Sequence, residues 1–422
     1  MQPAQRFLRT ARVGNVLLSK GQRSLIPAVS RHEGYSNQKQ RARASTSVAY
    51  LTAATPPPDP HTLTEAYDAV RMGSLAGRAK IHSEDNADQD VEAEASSMDA
   101  SQLPSTRLGL LERCRSELCS LPPMIGRSFV EAENAEHIAS PDTIRIMQWN
   151  ILAQSLAEKS DKFVCPEEAL HWNHRRWRIL EEVLTYGADI ICLQEVDHYN
   201  FLKATLGKVG FQGCFFPKPD SPCCYNKGNN GPDGCAIFFD ASKYTLLRIE
   251  QKVLEVFRCQ SNQVVVMCTF QRKLDNRKFC VVTTHLKARV GALLPTLRNE
   301  QGKDLLQFVK NNNSQNLPVI YAGDFNAEPS EPVYRTMIQL GEVSSSYAMV
   351  NPDEREPEYT TWKVREDGEV CHTIDYIFYS RNNFTPERVL SMPSGEQLGE
   401  GRAPSLAYPS DHFSLCCDLR LL

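Results

Sequence analysis

No stretch of this 422-residue sequence approaches the roughly 18 consecutive apolar residues that a membrane-spanning helix requires, so no such span is expected. Positive charge is not in excess either. With 47 Lys+Arg against 51 Asp+Glu, the formal net charge is −4, which argues against attachment to nucleic acid by bulk charge and means that any polyanion must be met locally. Zinc-type Cys-x-x-Cys spacing is missing: the 14 Cys fall irregularly, and Cys223-Cys224 and Cys416-Cys417 are merely adjacent pairs. No apolar secretory segment opens the chain, so reduced thiols in an intracellular compartment are expected. Repeats at solenoid periods are absent too, leucine-rich repeats included.

What is present changes character along the chain. No acidic residue precedes Glu33, whereas Arg6, Arg9, Arg12, Lys20, Arg23 and Arg31 do, with Phe7, Leu8, Leu17 and Leu18 able to form one apolar side. This composition predicts a mitochondrial transit peptide over residues 1–34, with mitochondrial and cytoplasmic forms depending on its presence. Residues 35–106 are polar, interrupted by Pro56-Pro57-Pro58 and acidic from Glu84 to Asp99, which predicts disorder because too little apolar surface offsets the entropy of ordering. Residues 107–142 read as a short helix and linker: Leu108, Leu111, Leu118 and Leu121 suggest an amphipathic helix, stopped by Pro122-Pro123, that docks on the following domain or on a protein partner.

From residue 143 to 422 short β-branched runs alternate with helical periods. Strands are predicted at Ile144 to Met147, Asp189 to Leu193, Ala236 to Phe239, Val264 to Phe270, Phe279 to Thr284, Leu317 to Ala322, Thr373 to Tyr379 and His412 to Leu419. Helices are predicted at Trp172 to Leu184 and Arg298 to Lys310. Many strands with few helices imply an α/β fold, a two-layer β-sandwich flanked by helices.

Several of these strands end in acidic, amide or imidazole groups, where a sandwich fold gathers its functional residues. They are Trp149-Asn150, Gln194-Glu195-Val196-Asp197, Thr284-His285, Gly323-Asp324-Phe325-Asn326, Ile374-Asp375-Tyr376 and Ser410-Asp411-His412. Singly, such a carboxylate is ordinarily a helix cap or turn former, and a lone His a hydrogen-bonded structural residue. Together, Glu195, Asp324, Asp375, Asp411, Asn150, Asn326, His285 and His412 form the inventory for metal-assisted attack of water on a phosphate. Mg²⁺ prefers hard oxygen ligands and is usually held by one or two carboxylates plus substrate phosphate. A fixed carboxylate can align and deprotonate water, while Asn and His donors meet the charge that grows on the phosphoryl oxygens.

In this order the motifs resemble those of the endonuclease/exonuclease/phosphatase superfamily, close to its Mg²⁺-dependent deadenylases, over residues 143–422. The resemblance implies Glu195 as principal Mg²⁺ ligand, Mn²⁺ being a possible substitute in vitro, with Asn150 and Asp411 around the metal and phosphate. It implies Asp324 as the group that activates water and Asn326 as a donor to the phosphoryl oxygens. Asp375 would orient His412 on the scissile phosphate, with His285 a further phosphate or leaving-group contact. More than one carboxylate remains open as the base.

The substrate must be argued from other residues. Continued strand alternation predicts Lys287 and Arg289 on the face of His285. Lys218 sits in the Pro-stiffened Phe216-Pro217-Lys218-Pro219, and Arg365 follows the strand candidate Trp362-Lys363. A compact basic pocket suits a small substrate with several phosphates, whereas tracking RNA requires distributed charge and stacking aromatics. The resemblance implies removal of the 2′-phosphate from NADP⁺ and NADPH, with a poly(A)-specific 3′-exoribonuclease as the alternative and a non-catalytic scaffold disfavoured by the intact carboxylates. A monomer is expected.

Overall fold

In the computed structural model, residues 102–133, 142–158 and 163–422 are described, and all of them belong to one compact unit. The transit-peptide segment, and the segment expected to be disordered up to residue 101, lie outside the described residues.

The β-branched runs build two mixed sheets. The first has seven strands in the order β1-β14-β15-β2-β3-β5-β4, and the second has six in the order β10-β13-β9-β8-β7-β6. In the first sheet β1 is Phe129–Glu131, β2 Thr143–Asn150, β3 Ile190–Val196, β4 Phe211–Pro217, β5 Gly234–Asp240, β14 Phe384–Leu390 and β15 Leu415–Leu421. In the second, β6 is Tyr244–Val256, β7 Cys259–Arg272, β8 Lys278–His285, β9 Val319–Asp324, β10 Val343–Ser345 and β13 Asp375–Ser380. A separate hairpin joins β11 (Thr361–Arg365) to β12 (Gly368–His372).

Strand periodicity sorts the side chains into layers. Ile144, Ile146, Ile190, Cys192, Val264 and Val266 form a core between the sheets, while Met147, Trp149, Ile191 and Leu193 point outward under helices. Those helices are α1 (Arg107–Glu117), α3 (Trp172–Tyr186) and α4 (Tyr199–Lys208), and the short α2 (Gln154–Ala157) follows β2. On the second sheet, Val265, Met267, Val282 and Tyr321 pack with Leu305, Phe308 and Val333 of α5 (Leu294–Asn312) and α6 (Pro332–Leu340). Helices thus cover the outer faces of a two-layer β-sandwich, as the sequence pattern predicts.

The folded unit begins earlier than residue 143. The linker contains β1, which pairs with β14 in the register Phe129↔Leu390. Three residues whose partner lies far along the chain leave no local signal. The leucine spacing is right at three of its four positions: Leu118 is buried and Leu111 and Leu121 pack partly buried against the core, but Leu108 is 66% exposed, while Leu110 and Cys114 are buried there with Trp177 and Leu180 of α3. The helix therefore docks on its own domain, with a Cys filling one apolar position. Leu110→Ala is expected to destabilise the domain by about 2–4 kcal/mol through lost burial and a residual cavity. Denaturant unfolding measures this, and a change below about 0.5 kcal/mol would detach α1 from the cooperative unit.

Each sheet has one parallel pair near its middle, β2 with β3 and β8 with β9, while every other pairing is antiparallel. Parallel neighbours end at the same edge. Asn150 and Gln194 therefore finish side by side, as do His285 and Asp324. The start of β13 places Asp375 opposite Asp324.

Candidate active site

Local backbone geometry aims these residues. The ladder between β3 and β5 is irregular between Leu193 and Val196, and Glu195 has a φ of 56°. A bulge of this kind re-aims one side chain. It presents a half-buried Glu195 carboxylate, which accepts from Asn150 Nδ2 at 3.1 Å and from the Ala153 amide at 3.1 Å. Glycine before Asp324 permits close strand approach, since a Cβ on Gly323 would lie 2.5 Å from the Thr284 carbonyl oxygen. Asp324 Oδ1 then accepts from the Asn326 amide at 2.8 Å, holding Asn326 in a left-handed turn at φ 49°.

One amide links the two carboxylates: Asn150 Nδ2 also donates to Asp324 Oδ2 at 2.9 Å. His285 Nε2 lies 3.5 Å and His412 Nε2 3.9 Å from the same Oδ2. Burial and the neighbouring Asp375 push Asp324 up to about 7. The imidazoles differ in charge. Burial, Lys218 and His412 drive His285 well below the ordinary histidine range, so it is neutral. For His412 burial opposes protonation, but Asp375, Asp411 and Asp324 outweigh it and raise its pKa to about 9.

Asp375 is committed to positioning. Its Oδ2 accepts from His412 Nδ1 at 2.9 Å and Thr360 Oγ1 at 2.6 Å, and its Oδ1 from Gln148 Nε2 at 3.1 Å. Asp324, Asp375 and His412 have ligand-type atoms within 4.8 Å of one another, but with Asp375 so occupied the trio is a hydrogen-bonded unit. Glu195 is the half-buried carboxylate of the group, and each of its oxygens accepts one hydrogen bond and keeps a lone pair, a hard-oxygen donor that fits a divalent cation.

The expected site residues therefore converge, with qualifications. Asp411 is buried and ion-paired to Lys363 at 2.5 Å, with Arg365 3.8 Å away. Burial would raise its pKa, but Lys363 and His412 hold it well below the usual carboxylate range. Asn326 Nδ2 donates to the Leu286 carbonyl at 3.1 Å, leaving its second hydrogen for a ligand. Arg365 lies within β11 instead of after it, with its guanidinium 5.3 Å from the Phe163 ring.

The alternation argument for Lys287 and Arg289 fails, because β8 stops at His285 and residues 286–290 form a loop. Lys287 nevertheless lies among cations: burial, Arg289 and Lys218 all lower its pKa. Lys218 is buried, ion-paired to Asp233 at 2.7 Å, and its Nζ is 3.4 Å from His285 Nδ1. Among the described residues no carboxylate forms an ion pair with Lys287 or Arg289.

Sequence reasoning missed Gln148, Thr360, Lys363, Asp233 and Arg175. Buried Arg175 donates to the carbonyls of Ile151, Leu152 and Pro409, tying the segment after Asn150 to the one before Asp411. Only Gln148 carried a signal, as a polar residue in an apolar strand two positions before Asn150.

The model of the Endonuclease/Exonuclease/phosphatase family matches residues 147–412, a span from β2 to the Asp411-His412 pair. The chain belongs to this family. Nocturnin of Drosophila melanogaster is 44% identical over 400 residues, covering 84% of this chain and 61% of the fly protein. This chain thus spans about three fifths of that relative. The structure of the human Nocturnin catalytic domain with bound sulfate anion matches at a TM-score of 0.60 and 39% identity, covering 71% of this chain and 100% of that domain. ANGEL2, a 2′,3′-cyclic phosphatase, in complex with adenosine-2′,3′-vanadate, matches at a TM-score of 0.58 and 25% identity, covering 71% of this chain and 99% of that one. Membership makes the chain a hydrolase of phosphoester bonds in a metal-dependent family. Among the described residues no helix is long and apolar enough to cross a membrane.

Proposed function

We propose that this chain hydrolyses the 2′-phosphate of NADP⁺ and NADPH, giving NAD⁺ and NADH, with Mg²⁺ as its cation. One observation carries the reading: Lys218 stands 3.4 Å from His285, Lys287 feels both Lys218 and Arg289, and among the described residues neither Lys287 nor Arg289 forms an ion pair, Asp220 acting on Lys287 only from a longer range. Such crowding is unfavourable without an anion and suits a ligand with several phosphates in a small volume. The human relative solved with sulfate supports an anion site, and ANGEL2 in complex with adenosine-2′,3′-vanadate supports one that accepts a ribose 2′ position.

On this reading Glu195, with Asn150 and Asp411 nearby, would hold the Mg²⁺, and its chemistry there would be Lewis acidity toward the phosphoryl oxygens. Asp324 takes a proton from the attacking water, whose oxygen bonds to phosphorus as the bond to the ribose 2′-oxygen breaks, and the departing oxygen takes up a proton from solvent to leave as the 2′-hydroxyl. Cationic His412, oriented by Asp375, and the free hydrogen of Asn326 donate to the phosphoryl oxygens. Neutral His285 stands by the leaving oxygen, while Lys218, Lys287, Arg289 and Arg365 bind the remaining phosphates. The arginine-spaced start of the chain supports mitochondrial and cytoplasmic forms.

The test pairs purified protein with NADPH and with a 3′-polyadenylated RNA, each with and without Mg²⁺. Free phosphate from NADPH with intact RNA is expected; shortened RNA with untouched NADPH would overturn the reading in favour of a deadenylase. Arg289→Ala is expected to lower kcat/KM for NADPH at least about tenfold, the scale of one lost phosphate contact, and unchanged kinetics would remove Arg289 from the pocket.

A further inference from the structure

Arg298 lies on α5, is 4% exposed and faces away from solvent, yet forms part of no catalytic group. Its guanidinium joins two things. Nε and Nη2 donate to the two oxygens of Glu331, each at 2.9 Å, while Nη1 donates to the backbone carbonyls of Lys287 and Arg289, each at 3.2 Å. The same loop is tied at its other side: Gln301 Oε1 accepts from the Lys287 amide at 3.0 Å, and Gln301 Nε2 donates to Ser261 Oγ at 2.9 Å.

The loop needs such bracing. Arg289 has a φ of 111°, a backbone conformation that a residue with a Cβ adopts only when its surroundings impose it. The following Val290 is fully exposed, so side-chain packing there does not impose it. Like charges add to the difficulty, because Lys287 is flanked by Arg289 and Lys218. Arg289 is exposed, so burial does not hold its side chain in place either. A planar guanidinium with donors at fixed angles can hold two carbonyls and a carboxylate simultaneously; an ammonium cannot reproduce that fork.

We propose that Arg298, locked by Glu331, is a positioning residue that sets specificity: it holds the 287–289 loop so that Lys287 and Arg289 converge on a substrate with more than one phosphate. Arg298 touches no substrate and acts only through those two side chains. The inference rests on the dinucleotide reading for its substrate, but the brace itself requires only a polyanionic ligand.

The experiment uses the full chain with Arg298→Lys, Glu331→Gln and Lys287→Ala/Arg289→Ala, and two readouts: kcat and KM on NADPH, and binding of inorganic pyrophosphate by calorimetry. Arg298→Lys is expected to raise KM about tenfold while kcat changes less than about threefold, the signature of lost positioning for binding. Glu331→Gln discriminates by sign. It removes a negative charge near the pocket, so plain electrostatics would tighten pyrophosphate, whereas loss of the brace weakens it. In the Lys287→Ala/Arg289→Ala background, Arg298→Lys should cost less than about twofold, because the side chains through which it acts are gone.

Tighter pyrophosphate binding by Glu331→Gln overturns the proposal, as does an undiminished Arg298→Lys effect in the double-alanine background. If Arg298→Lys melts early, Glu331→Gln carries the same decision. Wild-type protein that binds pyrophosphate but leaves NADPH intact would sink the dinucleotide reading alone, and the brace would still be judged on pyrophosphate.

Discussion

Glu195→Gln is expected to lower phosphate release by about a thousandfold or more, equivalent to ~4 kcal/mol of transition-state stabilisation. The carboxylate accepts at both oxygens, from Asn150 Nδ2 and the Ala153 amide, and each oxygen keeps a further lone pair. A glutamine offers one acceptor oxygen, so its NH₂ must confront either the Asn150 amide or the Ala153 N–H. Charge for a divalent cation is lost at the same step. The fold should survive, because the bulge that exposes Glu195 comes from backbone geometry around Leu193 and Val196. Phosphate release, Mg²⁺ titration by calorimetry and a thermal melt check this together. A folded variant with activity within about tenfold of wild type would show that Glu195 is not the cation's main holder.

Asp324→Asn is the second large effect. Asp324 is buried at the meeting point of Asn150, His285, His412 and the Asn326 amide, and its side chain acts only as an acceptor when ionised. An asparagine cannot take a proton from water, and its NH₂ would oppose either the Asn150 NH₂ or the Asn326 backbone N–H. General-base removal typically costs about 10²–10⁴-fold, and a fall of about 10³-fold in kcat is expected. Binding should be nearly spared, since Lys218, Lys287 and Arg289 remain. Pyrophosphate affinity within about threefold of wild type together with the fallen kcat is the expected pair of results. A kcat that barely moves would assign proton transfer to another carboxylate.

Some of this site is legible without a structure because its information is local. Glu195 follows the apolar run of β3, Asp324 ends β9 and His285 ends β8, so a strand pattern and a polar terminus suffice to select them. The supporting residues are different. Lys363 reaches Asp411 from 48 positions away, and Gln148 reaches Asp375 from 227 positions away. Nothing near Lys363 in the chain distinguishes it from a solvated lysine. Lys287 and Arg289 show a third case: strand alternation was the wrong reason to place them beside His285, because the strand ends at His285 and a loop hydrogen-bonded to Arg298 carries them.

By themselves, the residues of this chain determined the class of fold and the polar set, because side-chain period and strand-end chemistry are properties of short segments. Tertiary structure decided the rest. It set which strands run parallel and so end at one edge, which His is shifted toward the neutral and which toward the cationic form, and which cations are ion-paired to a carboxylate and which are not. Those outcomes depend on distances between segments far apart in the chain, since Coulomb and hydrogen-bond energies are functions of separation in space.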